Sequence, residues 1–342
     1  LPTQMDRARA RTLPLGMGLV LLLAVLAFAV LLSIAVGSRE LTFTTVIDAL
    51  LRYNPANVDH AVVRDLRLPR TLIGVLVGVA LGLAGSIIQG ATRNPLADPG
   101  LLGVNAGAAL FVVLGISVLG LSSVTGYVWF GFAGAAVAGG VVYFVSSLGR
   151  DGATPMKLAL AGAAVTAALQ SVTSGLLLTD TTTFDQYRFW QVGSLAERDL
   201  PTVGQAVPFL AVGILLAVLS ARMLNALALG PDVARALGQN VPVARGVAAL
   251  AVVILCGAAT AIAGPIAFVG LMVPHAARLI TGPDHRWLLP YAAVIASILL
   301  LVADVVGRVI ARPAEVQVGV LTAIIGGPLL VVLVRRRKLV QA

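Results

Sequence analysis

The sequence holds few of the residues that most often cradle phosphate, ligate metal or act as thiols. There are two lysines (Lys157 and Lys338), three histidines (His60, His275 and His285) and one cysteine, Cys256. Neither lysine closes a Gly-x-x-x-x-Gly-Lys-Ser/Thr loop, so the backbone cradle for nucleotide phosphates is missing. The histidines are too scattered to suggest a metal site, and Cys256 has no partner for an internal disulfide. No HExxH, Gly-x-Ser-x-Gly or Cys-x-x-Cys motif is present, which leaves an intramembrane hydrolase little support. Nearly all carboxylates lie between apolar runs. The exception, Asp304, stands four residues before Arg308, where a local i,i+4 pair is a simpler reading than a proton relay. Ion-coupled secondary transport is therefore the weaker alternative. We expect no catalytic residue, no metal ligand and no cofactor in this chain.

The elements around these residues are set by composition. The 342 residues are 58% hydrophobic and 11% charged, with a mean hydropathy of +0.97. A soluble domain is roughly one quarter charged, so the expectation is an all-α integral membrane protein. The net charge of +9 does not point to nucleic acid, because the basic residues sit in gaps between apolar runs rather than beside aromatics. About 20 apolar residues cross a bilayer as a helix. Uncharged runs then predict ten spans in one membrane-spanning domain, 1–342, at about 13–36, 71–92, 99–118, 126–149, 158–179, 200–221, 246–263, 266–280, 287–307 and 316–334. The run 246–277 is too long for one helix, and Gly264-Pro265 divides it.

Ten spans place both termini on one side. With that side cytoplasmic, the inside residues Arg7, Arg9, Arg11, Arg93, Arg150, Lys157, Arg222, Arg235, Arg245, Arg278, Arg286 and Arg335 to Lys338 are the larger share of the 24 basic residues, as the positive-inside rule requires. Arg67, Arg70 and Arg308 fall outside, against the trend. Gly74, Gly78, Gly82, Ser86 and Gly90 recur at every fourth position and predict close helix packing, as do Gly326 and Gly327. Phe184, Tyr187, Phe189 and Trp190 cluster as in an amphipathic helix at the outer interface. Gln89, Asn105, Gln170 and Thr173 are uncharged polar residues within spans, suited either to lining a path or to bonding across helices.

One segment, "LALGPDVARALGQN" (227–240), looks soluble between two apolar runs. Pro231 suits a first helical position, Asp232 the positive end, and Gly238 the close, giving a short helix at about 230–238. Val233, Ala234 and Leu237 would form an apolar side. A groove on a separate ATPase would receive that side, although a helix resting on headgroups fits the pattern as well.

The segments "LRLPRTL" (66–72), "GSIIQGATRNPLADPGLLGVNAGA" (85–108), "WQVGSL" (190–195), "LALGPDVARALG" (227–238), "AGPIAFVGLMVPHAARLITGPDHRWLLP" (263–290), "ADVVGR" (303–308) and "VGVLTAIIGGP" (318–328) occur in this order. Together they resemble permeases of the iron-chelate uptake ABC transporter family, importers of ferric siderophores, haem and cobalamin, and most of all the enterobactin-like ferric-siderophore permeases. The resemblance implies a type II importer permease of ten helices in the cytoplasmic membrane. Its partners would be a second permease, identical or homologous, two ATP-binding subunits that carry ATP and Mg, and an extracytoplasmic substrate-binding protein. The cargo would be a ferric siderophore, with haem or cobalamin as alternatives; membrane lipid surrounds the chain and no nucleic acid is involved. It assigns ATPase coupling to Leu229, Gly230, Pro231, Asp232, Arg235, Leu237 and Gly238, and binding-protein docking to Arg67, Arg70 and Arg308. Asn94, Leu96, Thr154 and Met156 would narrow the inner end of the path, along which Gln89, Asn105, Gln170 and Thr173 could lie. Many members carry Glu after the first Leu-Gly of the coupling segment where this chain has Pro231 and Asp232.

Overall fold

The computed structural model describes residues 4–121, 124–148, 154–196 and 199–340. Among them there is no β-strand. The helices are α1 (Gln4–Ala35), α2 (Phe43–Leu51), α3 (Val58–Ala61), α4 (Leu68–Thr92), α5 (Val104–Leu119), α6 (Val124–Ser147), α7 (Pro155–Thr179), α8 (Thr181–Gln191), α9 (Leu200–Ala228), α10 (Pro231–Ala236), α11 (Val241–Ala263), α12 (Val269–Thr281), α13 (His285–Ile310) and α14 (Val318–Val340). A π-helical stretch, Val62–Arg67, joins α3 to α4, and a 3-10 turn, Pro99–Leu102, precedes α5. Among the described residues seven helices are long and apolar enough to cross a membrane, and α5, α12 and α14 are shorter apolar helices. This is a multi-pass architecture.

Polar gaps in the sequence supply the helix starts. Thr154, Asp180, Asp199, Asn240 and Asp284 each accept a hydrogen bond from a backbone N–H in the first turn of α7, α8, α9, α11 and α13 respectively, satisfying donors that a helix leaves orphaned. Between α11 and α12 the break falls at Gly264, whose φ of 73° is a conformation open to glycine. The turn between α5 and α6 includes residues 122 and 123, which lie outside the described residues.

The centre of the fold is the antiparallel pair α4 and α13. Ser297 Oγ donates to the Val75 carbonyl at 2.9 Å. A methyl group at Gly78 would sit 2.6 Å from the Ser297 nitrogen, and one at Gly82 would sit 2.9 Å from the Ala296 Cβ. Gly74 faces Leu301 and Gly90 faces His285 in the same way. The small-residue stripe is thus a helix-packing surface. Gly326 likewise meets Phe268, but Gly327 faces open space and takes no part in such packing. Most of α4 and α11 is buried, whereas α1 and α7 expose most of their length.

The aromatic cluster of α8 divides between two faces of the helix. Tyr187 and Trp190 are buried in the core, and only Phe184 and Phe189 face outward. One face of the helix had a protein neighbour that local pattern does not announce.

Candidate docking and coupling sites

At the end of the fold where α1 stops, α4 starts and α13 stops, four arginines surround a cleft of about 300 Å³, lined by Arg39, Arg67, Arg70, Arg308, Glu315 and neighbouring residues. Two of them close the last turn of α1. Arg67 Nη1 donates to the carbonyls of Ile34 at 3.0 Å and Ala35 at 2.7 Å, and Nη2 donates to the Arg39 carbonyl. Arg308 Nη1 donates to the carbonyls of Ser33 and Val36, each at 2.9 Å. A helix C-terminus leaves its last carbonyls unpaired and carries partial negative charge, so two guanidiniums satisfy both needs. Side chains extend the network: Arg308 Nη2 reaches Ser33 Oγ at 2.8 Å, which bonds Thr71 Oγ1 at 2.8 Å, and Thr71 donates to the Arg67 carbonyl at 2.7 Å.

Arg70 is held differently. Its Nε lies 3.0 Å from both Asp304 oxygens, its Nη2 lies 2.8 Å from Oδ1, and its Nη1 lies 2.6 Å from Glu315 Oε2. Asp304 also pairs with Arg308 at 3.0 Å, the i,i+4 pair read from sequence. Burial raises the Glu315 carboxyl, but the hydrogen bond and charge of Arg70, with Ser38 and the charge of Arg308, together leave the pKa below the usual glutamate value.

These contacts correct one expectation. The three arginines are at one surface and are brought together, but they are not free outward cations. Arg67 is 5% exposed and Arg308 is 2% exposed, because backbone carbonyls of α1 claim them. Arg67 has no carboxylate partner among the described residues, which leaves positive charge in the cleft. Arg39, missed in the sequence reading, stands at the rim, 56% exposed and 2.7 Å from Asp59. The signal was its place in "GSRE", directly after the first apolar run.

The antiparallel pairing of α4 and α13 carries the remaining candidates to the other end of the fold. After α4, Arg93 takes a left-handed conformation (φ 52°), and Asn94 Oδ1 accepts from the Leu96 N–H at 3.0 Å. Asp98 Oδ1 accepts from the Gly100 N–H at 2.8 Å, and burial raises its pKa. Asn94, Thr92 and Ile88 share a second cleft of about 300 Å³ with Pro155, Met156 and Leu101. Thr154 caps α7 beside it through the Lys157 N–H at 3.3 Å. Leu96 and Met156 are exposed.

Beyond α9, the helix α10 starts at Pro231 after Gly230 (φ 106°) and closes at Gly238 (φ 79°). Asp232 and Arg235 pair with each other at 2.7 Å. The apolar side differs from the one expected. Ala234 is fully buried against the rest of the chain, whereas Leu229, Val233 and Leu237 are 61%, 48% and 66% exposed. Val233 and Leu237, four apart, face outward together on α10, and Leu229 stands ahead of the helix, before Gly230.

The polar residues within spans separate. Gln89 is buried and donates to the Leu271 carbonyl at 3.1 Å while accepting from Arg278 at 3.4 Å. Asn105 Oδ1 accepts from Thr260 at 2.9 Å, and Thr173 bonds back to the Leu169 carbonyl at 2.8 Å. These three spend hydrogen bonds inside the fold. Gln170 is exposed, on a face of α7 shared with Ala163, Ala167, Ser171 and Ser174. A further polar staple escaped the sequence reading: Asn225 of α9 donates to Asp284 at 2.6 Å and meets His285 Nδ1 at 2.9 Å. Among the described residues no three of His, Cys, Asp or Glu gather as a metal site.

Comparison with known proteins places this geometry. The chain is 48% identical over 317 residues to the ferric enterobactin transport system permease protein FepD of Escherichia coli (strain K12), covering 92% of this chain and 94% of that one. It is 43% identical over 315 residues to the probable siderophore transport system permease protein YfiZ of Bacillus subtilis (strain 168), with the same coverage. A solved structure described as an inward-facing conformation of a metal-chelate type ABC transporter superposes with a TM-score of 0.79 at 29% identity, covering 94% of this chain and 99% of that one. The profile of the FecCD transport family matches residues 25–336, nearly the full length, and the chain belongs to that family.

Proposed function

We propose that this chain, a permease subunit of an iron-chelate ABC importer, carries an intact ferric siderophore across the cytoplasmic membrane. In this reading it is a single domain of ten spans with both termini in the cytoplasm. A second permease, identical or homologous, lies against the exposed small-residue face of α7, and Gln170 borders the path between the two. Asn94, Leu96, Thr154 and Met156 narrow that path at its cytoplasmic end. Two ATP-binding subunits hold ATP and Mg below, and Val233 and Leu237 of α10, with Leu229 just ahead of it, enter a groove on one of them. Burying such side chains is favourable by roughly 1.5–3 kcal/mol each. The self-paired Asp232 and Arg235 leave the contact apolar. An extracytoplasmic binding protein docks at the arginine cleft, where an acidic side chain would meet Arg39, Arg70 and the unpaired charge of Arg67.

One observation supports this reading most. The cationic cleft lies where α4 starts and α13 stops, and the exposed apolar residues of α10 follow α9, whose end is tied to the start of α13 by Asn225, so binding outside and ATP hydrolysis inside can act on one packed body. The test is affinity purification of the tagged chain with its partners untagged, their identification by mass, and ATPase assay of the chain alone and in the assembly. Hydrolysis should require the assembly. Turnover of ATP by the purified chain alone would refute the proposal.

A further inference from the structure

A third cleft lies apart from both candidate sites. It is a groove of about 550 Å³ between α4, α9 and α13, within the size range of small-molecule pockets. Its walls are apolar: Leu83 of α4, Ile214 of α9, and Leu289 and Ala293 of α13 line it. Its mouth is basic. Arg222 sits two turns beyond Ile214 on α9, and Arg286 sits at the start of α13, so both arginines lie at one end of the groove. Both residues are exposed, and neither side chain has an ion-pair or hydrogen-bond partner among the described residues. The nearby carboxylate, Asp284, is already engaged by Asn225 at 2.6 Å and by the Arg286 backbone N–H at 3.0 Å.

The groove is built rather than left over. Asn225 lies one turn after Arg222 and ties α9 to the first residues of α13 through Asp284 and His285. That staple fixes the wall carrying Arg222 against the wall carrying Arg286. An apolar slot opening toward lipid, with two unpaired guanidiniums at its polar end, matches one molecule in shape and charge: a phospholipid with an anionic headgroup. Arginine binds phosphate bidentately, and basic pockets between spanning helices hold anionic headgroups.

We infer that this groove is a specific site for an anionic phospholipid, its phosphate held by Arg222 and Arg286 and an acyl chain lying between α9 and α13 over Leu83. The site depends on the chain's being a membrane protein and not on what it transports.

Native mass spectrometry of the purified chain and of its assembled transporter, each offered an equimolar mixture of phosphatidylglycerol and phosphatidylcholine, tests this. The expected result is one retained phosphatidylglycerol per chain, with a preference of about tenfold or more over phosphatidylcholine. The Arg222→Gln/Arg286→Gln variant changes only exposed side chains and should lose the preference. Ala293→Phe keeps both arginines but fills the groove, and should lose retention. Equal retention of the two lipids, or a preference that survives the double arginine change, would overturn the inference. So would undiminished retention in Ala293→Phe, which would mean that surface charge alone attracts anions. Loss of the lipid on assembly would show that another protein chain covers the groove, and would overturn it too.

Discussion

Arg70 and Asp304 form a two-pronged pair across 234 positions of sequence, with Arg70 Nε 3.0 Å from each carboxylate oxygen. Asp304 is 1% exposed and is held on its other side by Arg308. One carboxylate therefore ties the start of α4 to the end of α13 and holds Arg70 and Arg308, both of which line the arginine cleft. Removing one partner of a buried pair leaves an uncompensated charge and costs about 3–5 kcal/mol. Asp304→Ala should lower the melting temperature in detergent sharply, whereas Arg39→Ala, at an exposed pair, should change stability by less than about 1 kcal/mol. Equal effects would mean that the cleft is not organised by Asp304.

Docking is predicted to depend on the rim. Arg39→Glu should slow association of the binding protein and flatten its salt dependence, since rim charges act mainly on encounter, with helicity and yield unchanged. Arg67→Glu is a different experiment: it would place a carboxylate against the Ile34 and Ala35 carbonyls, so it should lose folded protein. Surface plasmon resonance at two salt concentrations separates them. Arg39→Glu binding as the parent does at low salt would remove this cleft from the docking account.

Stability should fall in acid through Glu315. Its folded pKa is lowered by Arg70, so the contribution is full above the ordinary glutamate value of about 4.3 and is lost as pH falls through the lowered one. Melting curves between pH 7 and pH 3.5 should show Glu315→Gln losing less stability than the parent over that window. Parallel losses would place the acid sensitivity elsewhere.

The α4–α13 contact should tolerate no added carbon at Gly78. A methyl group there would fall 2.6 Å from the Ser297 nitrogen, and overpacking costs typically about 1–3 kcal/mol. Gly78→Ala should therefore destabilise the protein, and Gly327→Ala, which meets open space, should not. A thermal melt of both variants decides this.

What was legible in the sequence was whatever chain-local physics controls. Uncharged runs marked the apolar helices, Gly264-Pro265 marked the break before α12, and the Gly-Pro start with a glycine close marked α10. The Asp304–Arg308 pair was legible because its spacing is one helical turn. What stayed hidden depended on distant backbone. Arg67 and Arg308 look like surface cations until the carbonyls of α1 are placed beside them, and Gln89 suits a path or a bond across helices equally until α12 accepts its hydrogen bond. Ala234 and Leu237 are equally apolar in sequence, and only the packing of α10 on its own chain separates the buried one from the exposed one. The Asn225 staple crosses 59 residues and has no local signature.

The account turns on the exposed apolar residues of α10 coupling a separate ATPase to the membrane path. Uptake of iron-labelled ferric siderophore into proteoliposomes holding the assembled transporter, its binding protein and ATP, compared between the parent and Leu237→Asp, tests it most directly. Leu237 is exposed and outside the spans, so the variant should insert and still bind the outer protein. It should lose the ATPase on purification, with affinity down roughly tenfold or more, and uptake should fall with it. A variant that keeps a full complement of ATPase and imports the chelate at the parental rate would contradict the account.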